Sequence, residues 1–389
     1  MPERFDAVVI GLGAMGAATL DALAGKGMHV LGLDQYAPPH ELGSTHGETR
    51  ATRLAVGEGD AYVPLVRRSH QRWRELEAHL GEPLLEQCGF LTIDTTGGES
   101  CVHGAAGFFE RTVAIAQRHR IRHELLDGVS LRSRFPAFAA PPESRGYFEP
   151  EGGLVYVERA VAALLRSAER QGAMLRFGCR YLGHRPAGTG ARIETSSGRI
   201  DAGALVIAAG PWLPTIAPSA LGGVRLYRQL LHWFGAPPDA KVGLADLPVF
   251  LWLHGRGAED FFYGFPDVGS GVKLATEQYR ATALDPSSVD RTVTRDEIAD
   301  FEDRHIDGRI EPPLEYRRSA ACLYSVSPDA HFIIDHLAND DPAIIISACS
   351  GHGFKHAPAI GELVAAAVAD AMPLPADFAR TRAALAVPT

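Results

Sequence analysis

The sequence predicts an α/β fold with an α+β division into two domains: a Rossmann-type nucleotide-binding domain and a second domain built on an antiparallel sheet. Two features carry this prediction. The first is a strand, a glycine-rich turn, a helix and a second strand within residues 5–34. The second is a series of short apolar segments separated by turn residues within residues 224–314, which is typical of a largely antiparallel sheet.

The first strand and its turn have the spacing of a dinucleotide-binding fingerprint. Residues 7–10 form an apolar run without polar alternation, which suits a strand buried on both faces. Gly11, Gly13 and Gly16 follow with GxGxxG spacing. They allow a tight turn, a close approach of backbone to pyrophosphate, and close packing of helix on strand. A plain turn that binds nothing is the alternative interpretation.

The helix and second strand complete this unit. The helix is predicted from about Ala14, followed by Met15, to Gly25, and its N-terminal N–H groups would point at the phosphates. Asp34 ends the second strand, where a carboxylate accepts hydrogen bonds from a ribose. An acid at this position disfavours NADP and leaves FAD or NAD.

Composition excludes several classes of function. With 389 residues, of which 46% are hydrophobic and 22% charged, the chain is an ordinary globular protein long enough for two domains. A formal charge of −9 argues against a nucleic-acid partner, and no basic run suggests a membrane surface. Five scattered cysteines predict neither a disulfide framework nor a metal site, and a reducing, cytoplasmic location fits them.

The remaining elements follow from apolar spacing. Helices are predicted at about 63–80, 104–118, 158–171, 292–303 and 360–371. Strands are predicted at 90–93, 174–177, 192–195, 199–200, 204–212, 230–234, 249–252, 261–263, 271–275 and 343–348. The strand 204–212 ends in glycine and resembles the strand that returns to the nucleotide domain in FAD-dependent oxidoreductases. The predicted domains are therefore discontinuous: residues 1–85, 145–215 and 320–389 form the nucleotide-binding domain, and residues 86–144 and 216–319 form the second.

Two segments could bind an anion. After a Gly, Pro and Ser-rich loop at residues 35–47, Arg50 and Arg53 lie three residues apart, which would place them on one side of a helical turn. They could hold a pyrophosphate, a flavin or an anionic substrate, or could form a solvated basic face. Near the end, the glycine-rich loop 349–355 opens a helix and could offer N–H groups to a negative centre such as reduced flavin. A turn that needs glycine only for its geometry is equally compatible with this loop.

Six segments, taken in order, identify the chain as similar to the monomeric sarcosine oxidase and N-methyltryptophan oxidase family. They read GLGAMG, PPHELGSTHGETRATR, GEGDAYVPL, FYGFP, AACLYSVSPDAHFIID and SGHGFK. The resemblance implies an FAD domain interleaved with a substrate domain. It also implies an oxidase of secondary amino acids, N-methyl or cyclic, or of related amines. Hydride would pass to the flavin, an imine would form, and oxygen would be reduced to hydrogen peroxide by a monomeric enzyme.

The resemblance also implies roles for individual residues. Cys322 would bond covalently to the flavin 8α-methyl group, with Arg50 or His46 as a nearby cation that favours the thiolate. Lys273 would activate oxygen. Arg53 and Lys355 would hold the substrate carboxylate. Further residues implied in the site are two tyrosines that line the pocket and residues that contact the cofactor: Tyr263, Tyr324, Ser44, Thr45, Gly351, His352, Gly353 and Phe354.

Two departures from the family concern the identity of the amine. Glu277 stands where the family has histidine four residues after the lysine, and Thr45 precedes His46 where the family has a His-His pair. Glu277 is expected to favour a substrate with an extra donor or cation; the alternative is that it pairs with a neighbouring arginine. Two other functions remain open: a flavin dehydrogenase with a different electron acceptor, and a non-catalytic FAD-binding protein.

Overall fold

The computed structural model describes residues 3–103, 105–221, 223–237, 245–283, 285–337 and 342–382. Two large β-sheets organise these residues, one mainly parallel and one mainly antiparallel. The predicted fold class is therefore confirmed. The exact division into two domains stays a prediction.

The eight-stranded sheet contains the predicted nucleotide-binding unit. Its parallel part, in spatial order, is Met174–Arg176, Val30–Leu33, Glu3–Ile10, Gly198–Ile207 and Ala343–Ser347. Three antiparallel strands extend it: Gly190–Thr195, Tyr181–Ala187 and Ile333–His336. The first strand occupies the middle of the sheet because Val30–Leu33 pairs on one side of it and the distant Gly198–Ile207 on the other. This burial explains why it lacks polar alternation at residues 7–10.

The helix Ala14–Gly25 lies where the sequence predicts it and packs against two later helices, Val157–Arg170 and Ala357–Asp370. The glycines have the predicted geometric roles. Gly11 has φ +85°, a left-handed conformation that favours glycine. A side chain at Gly16 would overlap the carbonyl of Gly11, so the close packing of helix on strand requires glycine there.

The nine-stranded sheet holds the predicted antiparallel strands. Its main path is Thr282–Ala283, Arg225–Gly235, Val272–Ala275, Phe261–Phe265, Val249–Leu253, Phe90–Asp94, Arg145–Glu149 and Glu124–Asp127, and Glu315–Val326 pairs with Arg225–Gly235. Only the pair Val249–Leu253 with Phe90–Asp94 is parallel among the described strands of this sheet. The sheet therefore draws on the chain well outside residues 224–314, where the sequence indicated it.

Smaller elements join the two sheets. A three-stranded sheet contains Thr49–Thr52, Gly153–Tyr156 and Leu85–Glu86, and a two-stranded ribbon contains Cys101–Val102 and Ala105–Ala106. The other α-helices are Tyr62–Leu80, Phe108–Arg118, Gly128–Arg134, Leu213–Ile216 and Arg295–Phe301. The predicted helix start at Gly104 lies outside the described residues. In the described chain, no helix is both long and apolar enough to cross a membrane.

Candidate active site

A cavity of about 340 Å³ lies at the junction of the two sheets. Its wall includes Gly11 and Asp34 from the end of the parallel strands and Tyr263 and Lys273 from the antiparallel sheet. Of the site residues predicted from the sequence, all line the cavity except Gly16, His46 and Cys322. Segments that are hundreds of residues apart thus converge on one space.

The nucleotide end of the cavity fits a dinucleotide. The helix that begins after Gly13 has no side-chain cap and no acid in its first turn, so its N–H groups are available to phosphate. Gly13 and Thr45 both line the cavity, and a Cβ atom at Gly13 would lie 3.4 Å from Thr45 Oγ1. Asp34 accepts hydrogen bonds from the backbone N–H of Leu12 and of Tyr36, each at 2.8 Å, which fix its carboxylate.

Arg50 lies on the strand Thr49–Thr52, which pairs with Gly153–Tyr156. The prediction that Arg50 and Arg53 lie on one side of a helical turn is wrong. The partner strand, about 100 residues away in the chain, holds residues 49–52 in an extended conformation. Arg50 Nη2 donates hydrogen bonds to the carbonyl of Ser44 at 3.0 Å and to Cys322 Sγ at 3.6 Å.

His46 does not supply a second cation beside Cys322. Burial and, next, the nearby Arg50 lower the pKa of His46 to about 3, so its imidazole is neutral at pH 7. The expectation that His46 could favour the thiolate is therefore wrong. Arg50 is the cation that contacts the sulfur.

Lys273 is buried on the strand Val272–Ala275 and is held by backbone. Its ammonium donates hydrogen bonds to the carbonyls of Gly47 at 2.7 Å and Thr49 at 2.6 Å, and it lies 4.0 Å from the centre of the Phe265 ring. Burial and then the charge of Arg50 hold the pKa of Lys273 well below its ordinary value.

Glu158 fixes the turn that supplies these carbonyls. Its carboxylate accepts hydrogen bonds from the N–H of Gly47 at 2.7 Å and of Glu48 at 3.2 Å. Glu158 lies on the helix Val157–Arg170, which packs against the helix Ala14–Gly25, whereas Lys273 belongs to the nine-stranded sheet. The position of Lys273 thus depends on a helix that packs on the nucleotide-binding unit as well as on its own sheet.

The buried carboxylate of Glu149 fixes the backbone that follows Arg53. The N–H groups of Leu54 and Ala55 donate to Glu149 at 2.5 and 3.0 Å, which fixes the backbone next to Arg53. Arg53 Nη2 lies 2.9 Å from both oxygens of Glu58. Although burial alone would raise the pKa of Glu58, Arg53 and neighbouring cations hold it well below its usual range.

Lys355 lies in the turn Phe354–His356, and its ammonium donates to the carbonyl of His352 at 2.6 Å. Burial lowers the pKa of Lys355 to about 7, even though Glu58 opposes this shift. Tyr263 and Tyr324 face the same cavity with their hydroxyls 3.1 Å apart. The cavity therefore presents cations and aromatic side chains together.

Glu277 contacts a histidine. Among the described residues its polar partners are His103, whose Nε2 lies 3.0 Å from Oε2, and Tyr279, whose hydroxyl donates to Oε2 at 2.5 Å. The alternative that Glu277 pairs with an arginine is therefore wrong. The argument that Glu277 needs a donor from the substrate also weakens, because two protein groups already contact its carboxylate.

The sequence reasoning missed Glu58 and His103, which both line the cavity. Glu58 lies within the GEGDAYVPL segment, which contributes to the resemblance, but the resemblance implied no role for this residue. His103 is a lone histidine without informative spacing, and only the folded chain brings it to Glu277. Burial opposes its charged form, but Glu277 and then Glu58 raise the pKa of His103 to about 9.

The fold and the nucleotide end of the cavity define a dinucleotide-binding protein. The chain belongs to the family described as DAO, FAD dependent oxidoreductase, which matches residues 6–367. A monomeric sarcosine oxidase of Streptomyces avermitilis is 34% identical over 372 residues, 94% of each chain. An N-methyl-L-tryptophan oxidase of Salmonella arizonae is 33% identical over 368 residues, 93% of this chain and 94% of the relative. The resemblance drawn from the six segments is confirmed, and the chain is an FAD-dependent amine oxidase by family.

Solved structures agree on the fold. NikD, an unusual amino acid oxidase essential for nikkomycin biosynthesis, superposes with a TM-score of 0.80 at 22% identity and covers 97% of each chain. L-proline dehydrogenase from P. horikoshii has a TM-score of 0.80 at 21% identity over 98% of each chain. At these identities the likeness concerns the fold alone.

Proposed function

We propose that this protein oxidises secondary amino acids, N-methyl or cyclic, or related amines, and that molecular oxygen accepts the electrons to give hydrogen peroxide. The observation that carries the proposal is one cavity in which the dinucleotide-binding turn, the buried cations Arg53 and Lys355, and the buried Lys273 meet. The proposed form is a cytoplasmic monomer. The proposed site is the set of residues predicted from the sequence.

In this proposal the protein's residues bind and orient the amine. FAD, when bound, supplies the two-electron acceptor that converts the amine to an imine, which water then hydrolyses. Arg53 and Lys355 bind the carboxylate, one as a planar fork and the other as a point charge. Tyr263 and Tyr324 contact the substrate and exclude water. Lys273 offers a preorganised donor, held by two backbone carbonyls, to the negative charge that develops on oxygen.

The test is a screen of N-methyl and cyclic amino acids under air, scored by peroxide release, for wild type and Glu277→His. We expect peroxide with carboxylate-bearing secondary amines and a changed ranking in the variant, because Glu277 lines the cavity. Reduction of the protein by an amine without peroxide would indicate a dehydrogenase. Failure of every amine to bleach the flavin absorbance would sink the enzymatic proposal, and identical rankings would make Glu277 structural.

The affinity for carboxylates is expected to fall as the pH rises through about 7. The pKa of Lys355 is about 7, so its ammonium is present below this pH and is lost above it. The loss should approach about tenfold per pH unit, as linkage requires for one proton. Acetate binding, followed by the visible absorbance of the flavin, measures the effect.

Lys355→Met is the control for this pH dependence. This variant should bind acetate weakly at pH 6, and its acetate affinity should show no step near pH 7. Arg53, Glu58 and Glu277 are unchanged in it and determine the affinity that remains. A step of the same size in Lys355→Met would assign the titration to another group.

A further inference from the structure

We propose that His103 binds the Glu58 carboxylate in place of Arg53 when Arg53 binds the carboxylate of a substrate. By this exchange His103 would set the affinity for carboxylate-bearing substrates. The inference rests on the proposed function in assigning Arg53 to the substrate. It adds a positioning residue that lies outside the six segments that resemble the family.

In the structure Arg53 is already occupied. Its Nη2 lies 2.9 Å from both oxygens of Glu58, so an incoming carboxylate competes with a carboxylate of the protein. The Glu58 side chain is only 5% exposed. Removing the cation from a buried carboxylate is strongly unfavourable unless another donor replaces it. Release of Arg53 therefore requires a second partner for Glu58.

His103 is placed to be that partner. Its Nδ1 lies 3.3 Å from Glu58 Oε1 but is not aligned well enough to form a hydrogen bond there. Its Nε2 is held by Glu277, which in turn accepts a hydrogen bond from Tyr279. The ring is thus anchored on one side and has an unused donor on the side that faces Glu58.

The charges around the ring favour the imidazolium that this role requires. Glu58 and Glu277 flank it, and the pKa of His103 is raised to about 9 despite its burial. Arg53 and Lys355 also act electrostatically on Glu58. The ring of His352, whose pKa burial holds well below its ordinary value, is centred 5.4 Å from that of His103. Lys355 is assigned to the substrate carboxylate, so His103 is the remaining cation that contacts Glu58 in the described cavity.

The test measures acetate binding to the flavin-loaded protein by the change in visible absorbance, at pH 6.5, with acetamide as the uncharged control. Four proteins are compared: wild type, His103→Gln, Glu58→Gln and the double variant. We expect acetate to bind His103→Gln at least about tenfold more weakly than wild type, because Glu58 then retains Arg53. We expect Glu58→Gln to bind acetate more tightly than wild type, because the competing carboxylate is gone.

The double variant distinguishes this role from simple packing. If His103 acts through Glu58, the double variant should bind acetate as Glu58→Gln does. An equal weakening by His103→Gln in both backgrounds would show a structural role and overturn the proposal, as would unchanged binding in His103→Gln.

Should His103→Gln fail to fold or retain flavin, Glu58→Gln alone decides: acetate binding no tighter than in wild type overturns the proposal. Because no turnover is needed, the result does not depend on whether an oxidisable amine is found.

Discussion

Acid-precipitated wild-type protein is expected to stay yellow, and Cys322→Ser is expected to release all of its flavin on precipitation. Cys322 is fully buried on the strand Glu315–Val326, and Arg50 Nη2 donates to its sulfur at 3.6 Å. A thiol beside a guanidinium has the electrostatic surroundings of a reactive cysteine. A covalent link is an all-or-none property, so the expected effect is complete.

Cys349 provides a matched control, because it is a second cysteine at the cavity, whose wall it lines. Cys349→Ser should keep its flavin through precipitation. A colourless wild-type precipitate would exclude a covalent link. Release of flavin by Cys349→Ser with retention by Cys322→Ser would assign the link to the other cysteine.

Lys273→Met is expected to slow reoxidation of the reduced enzyme by oxygen by about 10²–10³, with a much smaller effect on reduction by substrate. The reason is that Lys273 Nζ is buried and fixed by the carbonyls of Gly47 and Thr49, so little reorganisation of this donor is needed when negative charge develops on oxygen. Stopped-flow absorbance measures the two half-reactions separately.

Lys355→Met serves as the control, because it should affect the opposite half-reaction. It removes a buried cation that is proposed to bind the substrate carboxylate, so it should impair reduction and leave reoxidation nearly unchanged. Equal effects of Lys273→Met on both half-reactions would show that Lys273 has another task, such as holding the turn at Gly47.

Local sequence patterns predicted the parts of the fold whose geometry is local. The glycine spacing and apolar runs predicted the helix Ala14–Gly25 to the residue and placed most strands of both sheets. The strand Glu124–Asp127 was not predicted, because it is an exposed edge strand without apolar alternation. The extended conformation at Arg50 was not predicted, because it depends on pairing with a strand far away in the chain.

The site was predictable as a set of residues but not as a network of charges. The resemblance supplied the residues around Lys273 and Lys355, and most of them line the cavity. Burial decides the neutrality of His46, and burial is a property of the folded chain. The contact of His103 with Glu277 joins residues 174 positions apart, for which one sequence holds no signal.

The order of the parallel strands has a consequence for how the protein is made. Glu3–Ile10 precedes the other described strands in the chain, yet it pairs with Gly198–Ile207, and that strand pairs with Ala343–Ser347. The loop that carries Lys355 follows later still. A growing chain on the ribosome therefore exposes an incomplete sheet until Ala343–Ser347 has emerged, and the cavity is complete only once Lys355 has followed. Pairings this distant in the chain slow folding, so we expect flavin to bind after these segments have come together.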